Sequence, residues 1–109
     1  MTFKEYQEKA WQTAVYPEKG NNIYYPALGL AGEAGEVCEK IKKVMRDDNN
    51  QITPIKKEQL NKELGDVLWY VATMCTELKI SMDDVAQGNI DKLHSRSQRD
   101  KIKGDGDDR

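Results

Sequence analysis

LAGEAGEVCEKIKKVMR, residues 30–46, has the same design as LNKELGDVLWYVATMCT, residues 60–76. Aligned at an offset of thirty positions, both stretches carry the pattern E-x-G-[ED]-V, with apolar residues following at helical spacing. The matched pairs are Leu30 with Leu60, Glu33 with Glu63, Gly35 with Gly65, Glu36 with Asp66, and Val37 with Val67. Any two amphipathic helices can be aligned on apolar positions alone, but two acid pairs and both glycines in register are harder to attribute to chance. We therefore predict two helices that are copies of one unit.

The sequence around these two helices predicts two more, and no segment alternates as a strand would. Thr53 and Pro54 are typical of a helix start, and Ser81 with Asp84 resembles a capping box. The predicted helices span residues 2–15, 26–46, 54–79 and 81–97. This pattern predicts an all-α, four-helix bundle-like domain over residues 1–97. The polar segment 98–109 should be a flexible tail unless a ligand or partner orders it.

The composition sets limits on the class of protein. Hydrophobic residues make up 38% and charged residues 33%, so the core is small and we expect a homo-oligomer that buries more apolar surface. A net charge of −2 argues against a broadly basic nucleic-acid surface. No apolar run reaches the roughly 18 residues that cross a membrane, and the N-terminus has no apolar signal segment. Cys38 and Cys75 have no CxxC partner, which favours a reduced, cytoplasmic setting.

The acid pairs are the candidate functional groups. Residues three apart project together from a helix, so Glu33 lies beside Glu36, and Glu63 lies beside Asp66. Each pair borders an apolar stripe, and the four carboxylates converge if the two stripes face each other. The stripes consist of Leu30, Ala34, Val37, Ile41 and Val44 in the second predicted helix, and of Leu60, Leu64, Val67, Val71 and Met74 in the third. Four carboxylates in one place repel one another unless a cation neutralises them. A site with oxygen ligands alone selects Mg²⁺, with Mn²⁺ as a substitute. The alternative is that these acids are an ordinary solvated face.

Two glycines indicate how the helices pack, and the single histidine excludes other classes of active site. Gly35 and Gly65 lie inside the predicted helices, where glycine is unfavourable, and we expect them to permit close approach of another helix. A di-iron carboxylate bundle needs two Glu-x-x-His pairs, and His94 is the single histidine. The same count excludes a serine or cysteine triad, and no G-x-x-x-x-G-K-[ST] phosphate loop is present.

Three segments together resemble the MazG-type all-α nucleoside triphosphate pyrophosphohydrolases, a superfamily that includes the dimeric dUTPases and the dCTP pyrophosphatases. The segments are GLAGEAGEVCEKIKK (29–43), KELGDVLWYVA (62–72) and NIDKLHSR (89–96). The family pattern is E-E-x-x-E, a spacer, then E-x-x-D, and Gly32 replaces the first of its adjacent acids here. The ending GDGDDR (104–109) is similar to the tail of small phage-encoded members.

The resemblance implies an Mg²⁺-dependent enzyme that hydrolyses a nucleoside triphosphate to monophosphate and pyrophosphate. It also implies a homodimer or homotetramer, while the charge and the lack of a long apolar run lead us to expect no nucleic-acid or membrane partner. The implied metal ligands are Glu33, Glu36, Glu63 and Asp66. Glu36, with Glu33 beside it, is our choice for the catalytic carboxylate that takes the proton of the attacking water. The substrate-binding residues carried over are Tyr70, Asn89, Lys92 and Arg96, the last more loosely.

Two other functions stay open at this point. One is a non-catalytic, regulatory nucleotide-binding module in which the carboxylates hold a structural metal. The other is a phosphohydrolase that acts on a different substrate, such as a nucleotide alarmone. The sequence does not choose among nucleobases.

Overall fold

A computed structural model describes residues 1–109 and contains four helices and no strand. The helices are α1 (Phe3–Thr13), α2 (Tyr24–Asp47), α3 (Pro54–Glu77) and α4 (Met82–Gln98). The prediction of an all-α fold is confirmed, and the helix bounds agree with the sequence pattern to within two residues. None of the four helices combines the length and the apolar character needed to cross a lipid bilayer.

The N-cap residue itself supplies a side-chain cap at three of the helix starts. Thr2 and Glu5 form a reciprocal capping box at α1, in which each side chain accepts the other's backbone N–H. The Thr53 hydroxyl accepts the N–H of Lys56, and Pro54 occupies the first helical position, where its missing N–H costs nothing. The Ser81 hydroxyl accepts the N–H of Asp84. These groups satisfy N–H donors that the first turn of a helix leaves free.

The start of α2 is earlier than the sequence predicts. Pro26 is not the first residue of this helix, because Tyr24 and Tyr25 already belong to it. The Asn22 side-chain oxygen accepts both of their N–H groups, each at 3.1 Å. An asparagine four residues before the proline thus performs the capping, and Pro26 is buried in the first turn.

Helices α2 and α3 form an antiparallel pair. Contacts between them run in opposite order along the two helices: Gly29 meets Tyr70, Glu33 lies beside Asp66, and Lys40 bonds Glu63. Beyond the start of α2, the backbone N–H of Asn22 bonds Glu77 in the same register. This register places both acid pairs at the same level of the helix pair.

Helix α1 lies against α3 and the start of α4. The small core where they meet consists of Ala10, Ala72, Cys75 and Met82, with Tyr6, Trp69 and Val71 packed around it. Polar contacts join the same elements: Gln7 donates to the Thr76 hydroxyl at 3.1 Å and accepts from the Met82 N–H at 2.8 Å. The radius of gyration is 16.7 Å, whereas a compact chain of this length would have about 13 Å. The single chain is therefore open in shape.

The predicted apolar stripes face each other only in part. Val44 is buried, and Leu30, Val37, Leu60 and Val67 are half-buried. Two other large side chains of the stripes, Ile41 and Leu64, stay exposed, at 43% and 56%. The contact between α2 and α3 is thus narrower than the stripe, and one apolar edge of each helix is left uncovered.

The expected close contacts at Gly35 and Gly65 are wrong within the single chain. A Cβ atom added at either glycine would meet nothing within 4 Å. The reason is angular, since a residue two positions after Glu33 or Glu63 lies about 200° round the helix, away from the α2–α3 contact. The close approach occurs instead at Gly29, where an added Cβ would lie 2.1 Å from Cε1 of Tyr70.

Gly29→Ala should therefore destabilise the chain, although alanine favours a helix more than glycine does. The half-buried Tyr70 ring cannot move without disturbing its neighbours, so we expect a loss of about 1–3 kcal/mol in the free energy of unfolding. Urea unfolding measures it. Gly88→Ala on α4 is the matched control, since an added Cβ there meets nothing within 4 Å, and it should be neutral or stabilising. Equal stabilisation by both substitutions would contradict the packing described for Tyr70.

Candidate metal centre

Three of the four predicted metal ligands come together between α2 and α3. Glu33, Glu63 and Asp66 each offer one carboxylate oxygen, and these oxygens lie within 4.8 Å of one another. Glu33 and Glu63 are half-buried and Asp66 is exposed. The three carboxylates define a site open to solvent on one side, with oxygen as its donor atom.

The electrostatics of the group show the cost of gathering these charges. Burial raises the pKa of Glu33, and the neighbouring charges of Asp66 and Glu63 raise it further. A hydrogen bond with Glu63 and the more distant charge of Glu36 act in the same direction. Without a cation, Glu33 thus resists ionisation, which is the expected behaviour of like charges that share one site.

Lys40 partly neutralises the group. Its ammonium lies 3.1 Å from Oε1 of Glu63, and the two side chains are 24% and 17% exposed. The sequence places Lys40 on the metal-facing side of α2, two turns from Glu33. Its charge is therefore shared with a carboxylate of the site rather than left in solvent.

Glu36 is the predicted ligand that the structure does not bring into the group. It lies one turn along α2 from Glu33 and is exposed to solvent, and its oxygens fall outside the 4.8 Å cluster. Its contribution to the raised pKa of Glu33 shows that it borders the site. Glu39, one further step along, pairs with Lys42 at 2.9 Å and Lys43 at 3.7 Å, away from the carboxylates.

Tyr70 borders the carboxylates, one turn beyond Asp66. Burial raises the pKa of its hydroxyl, followed by interaction with Tyr25 and by the charge of Glu33. Its ring packs against the backbone of Gly29 and meets Trp69 edge-on, with centroids 5.0 Å apart. Tyr70 is thus a wall of the site, held from two sides.

Glu77 is a buried carboxylate that sequence reasoning missed. It is 8% exposed and accepts hydrogen bonds from the Tyr16 hydroxyl, from the Gly20 N–H at 2.9 Å and from the Asn22 N–H at 3.1 Å. It therefore anchors the loop between α1 and α2 to the end of α3. Helical spacing could have indicated that Glu77 is buried. It follows Tyr70 by seven residues and so lies on the face of α3 that is turned toward α2.

Glu77 should make stability depend on pH. Burial raises its pKa, but the bonds from Tyr16, Gly20 and Asn22 lower it more, so the net pKa lies below the usual value. Its contribution is then present above the unfolded pKa of about 4.3 and is lost as pH falls through the lower folded value. Tyr16, the titratable group that faces it, stays protonated because burial and Glu77 raise its pKa.

Urea unfolding of the wild type and of Glu77→Gln measures this contribution. The difference in unfolding free energy should be largest near neutral pH and should shrink below about pH 4. Glu8→Gln, an exposed acid on α1, is the control and should show little dependence. If the difference in unfolding free energy between the wild type and Glu77→Gln stays constant with pH, the charge of Glu77 does not contribute to stability.

The predicted substrate-binding residues of α4 are not brought to the carboxylates. Helix α4 packs against α1, and no hydrogen bond or ion pair joins Asn89, Lys92 or Arg96 to the metal centre. Asn89 is exposed. The Lys92 ammonium lies 3.0 Å from Oδ1 of Asp107, and Arg96, only 4% exposed, donates to the backbone carbonyls of Gly106 and Asp107.

The tail at 98–109 thus lies against α4 in this structure. Arg109 closes it, donating to the carbonyls of Lys101 at 2.9 Å and Ile102 at 2.7 Å. Asp107 supplies the charge that pairs with α4, and the pKa of its carboxyl is lowered by Lys92 and Arg96. The cations expected to bind substrate are engaged by this acidic segment.

A cleft of about 440 Å³ opens where α1, α3 and α4 meet. Its lining residues are Met1, Thr2, Phe3, Tyr6, Leu68 and Asp83. Burial raises the pKa of Tyr6, and the charge of Asp66 raises it further, so the cleft lies near the carboxylates.

The carboxylates gathered between α2 and α3 define the class of protein as an all-α chain with a candidate divalent-metal site. Residues 26–99 match the family model of the MazG nucleotide pyrophosphohydrolase domain. This match covers more than half of the chain, and the chain belongs to the MazG nucleotide pyrophosphohydrolase family. The resemblance seen in the sequence is thereby confirmed.

Two relatives extend the comparison. The chain is 43% identical over 109 residues to "Gene 37 protein" of Mycobacterium phage L5, which covers 95% of this chain and 96% of the phage protein. It is 26% identical over 94 residues to "Uncharacterized protein YvdC" of Bacillus subtilis (strain 168), which covers 79% of this chain and 89% of that protein. No solved structure matches the chain significantly. The phage relative agrees with a small, phage-type member of the family.

Proposed function

We propose that the chain is a Mg²⁺-dependent pyrophosphohydrolase that converts a nucleoside triphosphate, (d)NTP, to monophosphate and pyrophosphate. The observation that carries the proposal is the cluster of Glu33, Glu63 and Asp66, whose oxygens lie within 4.8 Å inside the region that matches the family. A nucleotide pyrophosphohydrolase domain and a carboxylate site of this kind support the same chemistry.

The donor set fits a hard divalent cation. The group offers carboxylate oxygens and no sulfur or imidazole, which selects Mg²⁺, with Mn²⁺ as a substitute, over zinc. Burial raises the pKa of Glu33, and the charges of Asp66 and Glu63 raise it further; a bound cation would relieve that repulsion. When bound, the cation would neutralise the triphosphate and polarise the phosphorus under attack.

The chain's own residues would divide the remaining tasks. Glu33, Glu63 and Asp66 would hold the metal, with Glu36 joining them from the border of the site. Glu36, the freest of the four, would take the proton of the attacking water, assisted by Glu33. Tyr70 would contact the substrate from the wall that it forms beside Asp66.

Asn89, Lys92 and Arg96 remain our proposed contacts to sugar and phosphates. In one chain they lie on α4, apart from α2, and Asp107 engages two of them. They would therefore reach the substrate across a subunit boundary, or after the tail has moved. Either route requires more than the single chain in its present arrangement.

A homodimer or homotetramer is part of the proposal. Eleven of 109 residues are buried, and large apolar side chains on α2 and α3 remain exposed, among them Leu28 at 74% and Leu64 at 56%. Apolar surface of this kind is unusual on a stable monomer and typical of a protein interface. A second copy of the chain would cover it. We also retain the prediction of a cytoplasmic setting, which the unpaired Cys38 and Cys75 support.

The deciding experiment is a panel of common and modified nucleoside triphosphates with Mg²⁺ and with Mn²⁺, with the products separated by chromatography. Release of pyrophosphate together with the monophosphate is the expected result. If every triphosphate stays intact under both metals, the enzymatic proposal is wrong. Binding of a nucleotide without turnover would favour the regulatory module, and cleavage of a different phosphoanhydride compound would favour the wider phosphohydrolase class.

A further inference from the structure

The loop between α1 and α2 carries an aromatic ladder toward the carboxylates. The rings of Tyr16 and Tyr25 stack with centroids 4.6 Å apart and an angle of 9° between their planes. Tyr25 then meets Tyr70 at 6.4 Å and 42°. Tyr70 borders Glu33 and Asp66. The ladder connects a buried tyrosine to the metal centre through one ring, Tyr25, that is 42% exposed.

The base of the ladder is fixed by Glu77. Its carboxylate accepts the hydroxyl of Tyr16 and two backbone N–H groups of the loop, from Gly20 and Asn22. Both Glu77 and Tyr16 are buried. A buried, ionised carboxylate with three donors holds its partners in one geometry more firmly than an exposed one would. The orientation of Tyr16, and of the Tyr25 ring stacked on it, is therefore set from α3.

Of the two rings at the end of the ladder nearer the carboxylates, Tyr25 is exposed whereas Tyr70 is half-buried. Gly29 and Trp69 enclose Tyr70, so a planar ligand would have to displace packed groups to stack on it. Tyr16 stacks on one face of Tyr25, and Tyr25 still remains 42% exposed to solvent. Stacking of a base on an aromatic side chain is favourable for every base.

We propose that Tyr25 stacks on the nucleobase of the triphosphate held at the carboxylates, and that Glu77, acting through Tyr16, is the positioning residue for this contact. This rests on the proposed function, since the carboxylates must hold a nucleotide for its base to reach Tyr25. It assigns the recognition of the base to the loop before α2. The phosphates are left to the acids and their metal.

The test compares two ligands that differ in the base. One is a deoxynucleoside triphosphate with a non-hydrolysable imido bridge between the α- and β-phosphorus atoms, and the other is inorganic tripolyphosphate. Calorimetry with Mg²⁺ should show that Tyr25→Leu weakens nucleotide binding by about tenfold. Tripolyphosphate binding should change by less than about twofold, because no base is present. Tyr25→Phe keeps the ring and should bind the nucleotide like the wild type.

The positioning role has its own readout. Glu77→Gln and Tyr16→Phe should each raise KM for the nucleotide several-fold with a much smaller change in kcat, and the double variant should be no worse than the poorer single one. Thr13→Val is the matched control. It removes a different side-chain hydrogen bond between α1 and α3, donated by the Trp69 indole at 2.8 Å, and should leave KM unchanged. If Glu77→Gln fails to fold, the exposed Tyr25 variants still decide the base contact.

The outcomes separate this inference from the proposed function. A wild-type chain that binds neither probe contradicts the proposed function itself. A wild-type chain that binds both, with Tyr25→Leu affecting both equally or neither, overturns the stacking contact alone. Tyr6→Leu tests the alternative that the base binds in the cleft beside α1, which Tyr6 lines. If this variant weakens nucleotide binding and Tyr25→Leu does not, the base lies in that cleft.

Discussion

Asp66→Asn should lower kcat/KM for nucleoside triphosphate hydrolysis on the order of a thousandfold. Asp66 is one of three carboxylates whose oxygens lie within 4.8 Å, and the substitution removes one negative charge from a group that must attract a divalent cation. The amide keeps the shape of the side chain, so the loss reports charge rather than packing. Pyrophosphate release under saturating Mg²⁺ measures the rate, and Mn²⁺ titration measures the loss of metal affinity.

Asp47→Asn is the control for this substitution. Asp47 lies exposed at the end of α2 and pairs with the adjacent Arg46 at 2.7 Å, so its loss should leave turnover within about twofold, as for most surface changes. Retention of full activity by Asp66→Asn would remove the carboxylate cluster from the mechanism.

Glu36→Gln should lower kcat without the loss of metal affinity that is expected for Asp66→Asn. Because Glu36 lies outside the carboxylate cluster, its charge is less important for holding the cation than that of Asp66. If Glu36 takes the proton of the attacking water, kcat should fall by about 10²–10⁴-fold while Mn²⁺ affinity changes little. A fall in Mn²⁺ affinity equal to that of Asp66→Asn would instead make Glu36 a full metal ligand.

The second large effect should come from the uncovered apolar edge of α2 and α3. Leu64 is 56% exposed in the single chain, and placing a charge there should prevent a second copy from covering it. We expect the wild type to sediment at a multiple of 12.5 kDa and Leu64→Glu to sediment as a monomer. Loss of the buried interface should lower Tm by roughly 10 °C or more at equal concentration.

Val15→Glu is the control for the interface. Val15 is 92% exposed in the loop after α1, so it tests the effect of adding a charge to an exposed apolar position elsewhere. Its mass and Tm should match those of the wild type. A wild-type chain that sediments as a monomer at micromolar concentration would contradict the oligomer.

The sequence was sufficient for the parts of the fold that depend on local spacing. Thr53, Pro54 and Ser81 act within one turn of the helices that they start, so their roles follow from short-range pattern. The start of α2 was missed because Asn22 reaches forward to cap residues that precede the proline. A side-chain cap of this kind competes with the proline signal, and the sequence alone does not show which one determines the first turn.

The candidate site was predictable to the level of a helix face. Spacing brings Glu33, Glu63 and Asp66 to one edge of the α2–α3 pair, but it does not fix the rotation of each helix closely enough to place Glu36. Glu77 was missed for a different reason. Its partners, Tyr16, Gly20 and Asn22, lie more than fifty positions away in the chain, and a contact at that separation has no local signature.

The register of the α2–α3 pair has a consequence for the order of folding. Only residues 48–53 connect the two helices, so their pairing can zip from the turn outward with little loop-closure entropy. Docking of α1 instead joins residues far apart in sequence, as between Gln7 and Thr76. We expect a folding transition state in which the α2–α3 hairpin is largely formed and α1 is still undocked. Substitutions such as Val44→Ala would then slow folding, whereas Ala10→Gly would mainly accelerate unfolding.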